Sequence, residues 1–166
     1  CDVEEDTLTM SMRTIEPVLT IKTKAIVVVH LYGMPVQMDE IFNFAKRLNI
    51  YVIEDCAQAV GAKIGSQNVG TFGDIGCFSF YPTKNLSTMG DGGAVATNNG
   101  QIADRIRRLR MYGEDTRYHS LEPSGHSRLE EIQAAILRVK LQNLKDELKE
   151  RQVMALKYRG ALNPAN

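Results

Sequence analysis

The sequence has no tryptophan, only three cysteines, and no surplus of either charge: 20 Lys+Arg stand against 20 Asp+Glu in 166 residues. Each shortage excludes something. Cys1, Cys56 and Cys77 form neither a close pair nor a metal-ligand spacing, which argues against a disulfide framework or a zinc site and for free thiols. A net charge of +0 and a pI near 7.0 leave no basic footprint for nucleic acid and no polybasic membrane patch. An anionic ligand would therefore have to be held locally. No stretch approaches the roughly 18 consecutive apolar residues of a membrane span, and the acidic start Cys1-Asp2-Val3-Glu4-Glu5-Asp6 is unlike a basic signal peptide. The expectation is a cytosolic small-molecule protein with no nucleic-acid or membrane partner. With 43% hydrophobic residues the chain can build about one core. Residue 1 is Cys rather than Met, and Leu162 to Asn166 follow a long helical pattern with no terminal element of their own. A piece of a longer protein is expected.

Lys24 to Val29 is a continuous apolar, largely β-branched run, which predicts a strand buried on both faces as in a parallel sheet. From Asp39 to Leu48, Ile41, Phe42, Ala45 and Leu48 recur at helical spacing, with Asp39 placed to cap and Lys46-Arg47 at the C-terminal end. Tyr51-Val52-Ile53 predicts the next strand, with Glu54 and Asp55 just past its carboxyl end. That edge is where ligands bind in open α/β sheets. Ile75 to Phe80 and Ala94 to Thr97 predict two more strands, the second entered through Gly90-Asp91-Gly92-Gly93. Gln101 to Met111 predicts an amphipathic helix and Tyr112 to Arg128 a long loop. A final helix runs from Leu129 past Leu148 towards Tyr158, with Ile132, Ala135, Ile136, Val139, Leu141, Leu144 and Leu148 on one stripe.

The segment Phe78-Ser79-Phe80-Tyr81-Pro82-Thr83-Lys84-Asn85-Leu86 places one lysine after an apolar strand and a Pro-fixed turn. Burial beside polar groups would make such a lysine a free amine able to attack a carbonyl; alone, it also reads as an ordinary loop lysine. Upstream, Asp55 at a strand end could hold a proton on a pyridine nitrogen, or cap a following turn. Gly90, Gly92 and Gly93 read as a tight turn needing positive φ, serving packing rather than phosphate binding. His30 reads as a hydrogen-bonded structural histidine. The arginines at 105, 107, 108 and 110 read as a solvated helix face. Tyr81 either lines a pocket or packs.

Five ordered blocks carry a resemblance: Thr23 to Gly33, Ile53-Glu54-Asp55-Cys56-Ala57-Gln58-Ala59, Phe78 to Leu86, Gly90-Asp91-Gly92-Gly93, and Arg128-Leu129-Glu130-Glu131-Ile132-Gln133-Ala134-Ala135. Together they resemble the DegT/DnrJ/StrS family, pyridoxal-phosphate sugar aminotransferases of the aspartate aminotransferase superfamily. The resemblance covers nearly the whole chain, with Lys84 falling 29 residues after Asp55. It implies an α/β three-layer sandwich with a mainly parallel sheet. Residues 1–166 would then be an incomplete large, cofactor-binding domain, with Asp2-Val3 in one of its strands and the last helix leading towards a small domain.

The implied cofactor is pyridoxal 5'-phosphate, with Lys84 as the lysine bonded to it and as the proton carrier. Asp55 would pair with the ring nitrogen, Gln58 would lie near the phenolic oxygen, and the Ser79 hydroxyl would hold the phosphate. The implied reaction moves an amino group from an amino acid, glutamate by expectation, to a nucleotide-linked keto sugar in a homodimer. His126 departs from the pattern, since family members carry Asn there to reach the cofactor phosphate of the neighbouring subunit. Histidine can also donate to phosphate. The alternative reading is a non-catalytic binding or regulatory protein on the same fold, or an inactive fragment.

Overall fold

A computed structural model describes residues 1–162. Its centre is a four-stranded sheet, ordered β1-β2-β5-β6, of β1 (Ala25–Val29), β2 (Tyr51–Asp55), β5 (Ile75–Ser79) and β6 (Gly93–Ala96). The first three run parallel and β6 antiparallel. The α/β class with a mainly parallel sheet is as the sequence implied. Two short antiparallel pairs lie outside this sheet: β3 (Lys63–Ile64) with β4 (Gln67–Asn68), and β7 (Glu114–Thr116) with β8 (His119–Ser120). A hairpin thus occupies part of the expected 112–128 loop. Asp2 and Val3 lie in no strand; the chain begins with turns and the short α1 (Met12–Ile15).

The crossover from β1 to β2 is α2 (Met38–Arg47), whose N-cap position is Gln37 rather than Asp39 and carries no side-chain cap. Asp39 and Glu40 instead occupy its first turn, and Lys46 and Arg47 its last, each opposing the helix dipole. Its apolar face buries Met38, Ile41 and Ala45 against Ile26, Val28 and Val52, with Ile15 and Val36 closing the cluster. Each large aliphatic side chain removed from water there stabilises the fold by about 2 kcal/mol.

Burial along β1 alternates, with Ile26 and Val28 inside while Val27 and Val29 are exposed. The expectation of a strand buried on both faces fails for a physical reason. α2 covers one side, and no layer of the described residues covers Val27 and Val29.

The helix α3 (Gly100–Leu109) is capped by the Asn99 side chain, which accepts from the N–H groups of Gln101 and Ile102. The last helix, α4 (Glu131–Ala161), is 31 residues long, about 46 Å at the helical rise. Its buried stripe is Leu137 and Leu144, packed with Leu86, Val60, Phe80, Leu129 and Leu148. Ile132, Val139 and Leu141, expected on that stripe, are exposed.

Candidate functional site

Successive residues of β2 face opposite sides of the sheet, and this separates Glu54 from Asp55. Glu54 shares the inner face with Val52 and Cys56 and is fully buried. Its carboxylate accepts from the backbone N–H groups of Gly70, Phe72 and Gly73 at 2.7 Å each, and lies 3.1 Å from His30 Nε2. His30 Nδ1 accepts the Val36 N–H at 3.1 Å, so the ring proton sits on Nε2 and is donated to Glu54. Burial pushes the Glu54 carboxyl up, but His30 and the three backbone N–H groups outweigh it and hold it below the ordinary carboxylate range.

The turn that supplies those N–H groups packs tightly on β5: a Cβ on Gly76 would stand 2.3 Å from the Gly70 carbonyl oxygen. His30 is structural, as its sequence context indicated. Glu54, expected beside Asp55 at the ligand edge, is instead a buried brace behind it, a role that period-2 alternation with Val52 could have signalled.

Asp55 is the last residue of β2 and half-buried. Its Oδ1 accepts the Ala57 N–H at 3.0 Å, while Oδ2 makes no protein hydrogen bond among the described residues. Three residues on, the Gln58 Oε1 accepts the Tyr32 N–H at 2.9 Å, which turns the Gln58 NH2 group outward as a donor. Ser79 ends β5, beside β2, and its Oγ accepts the Tyr81 N–H at 3.3 Å. The Ser79 hydroxyl proton is therefore free to be donated elsewhere. At all three positions a backbone N–H occupies an acceptor and fixes the polarity of what remains: a carboxylate oxygen, an amide NH2 and a hydroxyl proton.

Lys84 follows on a turn closed by its own N–H donating to the Tyr81 carbonyl at 2.9 Å. Its side chain is half-buried and has no ion-pair or hydrogen-bond partner among the described residues. The chain just beyond it is clamped to α4. Leu86 is buried against Leu137 and Leu144, and Lys140 Nζ donates to Ser87 Oγ at 2.6 Å. Gln133 Nε2 donates to the carbonyls of Met89 and Asp91 at 2.9 and 2.8 Å. The long helix thus anchors the lysine turn through Gln133 and Lys140, two residues the sequence reading had not singled out. Of the three turn glycines only Gly90 has positive φ (77°). Gly92 and Gly93 are needed for close approach, since a Cβ would meet Thr88 Cγ2 at 2.9 Å and the Phe78 oxygen at 2.7 Å respectively.

His126 lies on the segment between β8 and α4. It pairs with Met111 in an isolated antiparallel bridge and lines a cavity of about 1050 Å³ between β6 and α3. Asp55, Gln58, Ser79 and Lys84 do not line that cavity. Arg128 Nε donates to His126 Nε2 at 2.7 Å, so Nδ1 carries the ring proton and is the nitrogen left to donate.

His30, Glu54 and Cys56 bring ligand-type atoms within 4.8 Å of one another, but both His30 nitrogens and both Glu54 oxygens are already hydrogen-bonded. Burial, reinforced by the Glu54 and Asp55 charges, pushes the Cys56 thiol up to about 12. A metal there would have to displace all of these partners and deprotonate that thiol.

The carboxyl ends of β2 and β5 thus carry an acceptor carboxylate, an amide donor and a hydroxyl donor, with a lysine on the turn that follows, on an open and mainly parallel α/β sheet. The chain belongs to the DegT/DnrJ/EryC1/StrS aminotransferase family, whose model matches residues 1–166. It is 48% identical over 143 residues to the UDP-N-acetyl-3-dehydro-α-D-glucosamine 3-aminotransferase of Acidithiobacillus ferrooxidans, covering 86% of this chain and 39% of the relative. To the dTDP-3-amino-3,4,6-trideoxy-α-D-glucose transaminase of Micromonospora megalomicea it is 45% identical over 158 residues, 95% of this chain and 42% of the relative. The crystal structure of S. venezuelae DesV in complex with a ketimine intermediate superposes with a TM-score of 0.93 at 39% identity, covering 98% of this chain and 44% of that one. The chain spans about two fifths of the length of these proteins.

The cofactor of this family is pyridoxal 5'-phosphate, and the donor set fits it. Asp55 Oδ2 suits a protonated ring nitrogen, the Gln58 amide a phenolate, the Ser79 hydroxyl a phosphate oxygen, and Lys84 an aldehyde.

Proposed function

We propose that this chain carries the cofactor half of a sugar aminotransferase: pyridoxal 5'-phosphate held by Asp55, Gln58, Ser79 and Lys84, glutamate as amino donor, and a nucleotide-linked keto sugar as acceptor. The observation that carries the proposal is the fixed polarity of the β2 and β5 carboxyl ends, where each side chain presents the group that the corresponding cofactor atom requires. When bound, the cofactor supplies an electron sink for the carbanion left when a proton leaves the donor's α-carbon.

This chain's residues do the rest. The Asp55 carboxylate keeps the ring nitrogen protonated, and its Oδ1 contact with Ala57 holds the other oxygen in line. Gln58 and Ser79 orient the ring by donating at opposite ends. Lys84 Nζ would carry the proton that leaves the donor's α-carbon to the cofactor and, in the second half-reaction, carry one from the cofactor to the sugar carbon. α4 keeps that amine in place through the Leu86 to Asp91 clamp.

The proposal extends to a cytoplasmic homodimer in which the His126 loop serves the neighbouring subunit's cofactor phosphate through Nδ1. Two observations support that part: His126 lines a cavity that none of Asp55, Gln58, Ser79 and Lys84 lines, and the cysteines are free thiols. Among the described residues no helix is long and apolar enough to cross a membrane.

The test is uptake of pyridoxal phosphate by the purified protein, followed by borohydride reduction and peptide mapping. Label confined to Lys84 and abolished by Lys84→Ala is the expected outcome, with glutamate bleaching the visible absorbance before reduction. Scattered label, or site-specific binding that glutamate never alters, sinks the transferase reading in favour of a non-catalytic binding protein.

A further inference from the structure

Tyr32 combines a constrained backbone with an idle side chain. It sits at φ 53°, ψ 21°, a left-handed conformation that glycine adopts readily and a tyrosine does not. Gly33 follows at φ 83°. The loop is anchored just before it at His30, whose ring is buried between Glu54 and the Val36 N–H. What the conformation achieves is visible at both ends of the residue: the Tyr32 N–H meets Gln58 Oε1, and the side chain is left 80% exposed at the carboxyl edge of the sheet. Glycine would satisfy the backbone and keep the N–H. No part of the described fold covers the ring.

We propose that Tyr32 is a specificity-determining residue whose ring forms the wall against which the hexose of the nucleotide-linked sugar packs. This rests on the function proposed above. In that reading the Gln58 amide faces the cofactor's phenolic oxygen, which is bonded to the ring carbon adjacent to the one bearing the reacting aldehyde. A residue held directly to Gln58 by its backbone therefore stands beside the reacting carbon, where the sugar carbonyl must arrive, and not at the distant nucleotide end. An aromatic face suits the apolar C–H face of a pyranose, and the phenolic hydroxyl adds one hydrogen-bonding group for a sugar oxygen.

The discriminating variant is Tyr32→Gly, which removes the ring while keeping the N–H and the left-handed backbone. It is compared with wild type and Tyr32→Phe in the cofactor-loaded protein by calorimetric titration with UDP-N-acetylglucosamine, dTDP-glucose, UDP and dTDP. For whichever sugar nucleotide wild type binds, Tyr32→Gly is expected to weaken binding about tenfold and Tyr32→Phe by no more than about threefold. Affinity for the matching nucleotide alone and the visible spectrum of the bound cofactor should hold, and the melting temperature of Tyr32→Gly should not fall, since glycine relieves the left-handed strain.

Equal losses for sugar nucleotide and nucleotide would move the ring to the nucleotide end and overturn the proposal. So would an unchanged sugar affinity, an altered oligomeric state with sugar affinity intact, or a wild-type protein that takes up cofactor but binds neither sugar nucleotide. Failure of wild type to take up pyridoxal phosphate at Lys84 would instead overturn the function beneath the proposal.

Discussion

The helices α2 and α3 are each ten residues long and strongly amphipathic, yet they do different things with the same pattern. α2 buries Met38, Ile41 and Ala45 completely against β1 and β2. α3 buries nothing; Ile102, Ile106 and Leu109 stop half-exposed, and Ile106 borders the 1050 Å³ cavity facing β6. The charges around α3 do not make up the difference. Arg105 pairs with Glu122 at 2.9 Å while itself 64% exposed, a contact of small net value in water, and the buried Nε of Arg108 has no hydrogen-bond partner among the described residues. An apolar stripe says which way a helix turns its face, but how densely that face is met depends on segments distant in sequence. The half of the molecule built on β1, α2 and β2 is held by its own contacts, and its buried brace supports Asp55 and Gln58. The half built on β5, β6 and α3 is looser, and it carries the His126 loop.

The contrast breaks most completely at Glu54. Replacing it with leucine in Glu54→Leu leaves three backbone N–H groups and the His30 Nε2–H without an acceptor inside the core, and should cost about 4 kcal/mol. Asp55→Asn, one residue along and facing outward, should cost less than about 1 kcal/mol while impairing cofactor uptake. Urea unfolding measures both. Similar losses for the two variants would mean that the inner and outer faces of β2 are not the separate devices described.

A matched pair of truncations compares the two halves directly. Ile41→Ala empties a fully buried site and should destabilise by about 3 kcal/mol, whereas Ile106→Ala, already beside open space, should cost about 1 kcal/mol. Equal values would show α3 to be as well packed as α2.

Acid should also act on the first half, in a window set by Glu54. The Glu54 carboxyl is held below its ordinary value of 4.5, so its contribution is complete above the unfolded-state value and is lost as pH falls through the lower folded value. Melting temperatures of wild type and Glu54→Gln should therefore keep a constant gap from pH 7 to about 4.5 and converge only as pH falls below that. A gap that stays constant to the acid limit would show that the ionised carboxylate contributes nothing specific.

How far the sequence revealed these halves depends on the range of the interactions involved. Strand and helix placement along 24–55 was legible because alternation and helical period are local. Lys84, Asp55, Gln58 and Ser79 were grouped only through ordered blocks of resemblance, since no spacing in one dimension shows that the ends of β2 and β5 lie side by side. The inward turn of Glu54 was within reach of simple parity, but two adjacent acids at a strand end look equally exposed. Tyr32 was out of reach: its backbone is forced by His30, and His30 is fixed by residues 24 positions further on. The stripe of α4 was misread because Ile132 and Val139 share the composition of Leu137 and Leu144, and only the partners Leu86 and Val60 distinguish them.

The smallest effect gives the finest test, because the three thiols sample three environments. Cys1 is exposed, Cys77 lines the cavity by α3, and Cys56 is buried behind β2. Burial raises both internal thiols, Cys56 to about 12, and the Asp55 carboxylate adds to the shift at each. Only the thiolate attacks a disulfide reagent, and at pH 8 a thiol titrating at about 12 is thiolate in roughly one molecule in ten thousand. Access compounds the difference, since the cavity admits small molecules to Cys77 while Cys56 needs local unfolding. An aromatic disulfide reagent at pH 8 should therefore modify Cys1 first, Cys77 more slowly and Cys56 last, at a rate that follows the opening of the β2 half. If Cys77 is as slow as Cys56, the cavity side is closed on the timescale of the reaction and the two halves are equally tight. If Cys56 keeps pace with Cys77, the brace at Glu54 opens as readily as the loose half, and Asp55 and Gln58 lose the rigid support assigned to them.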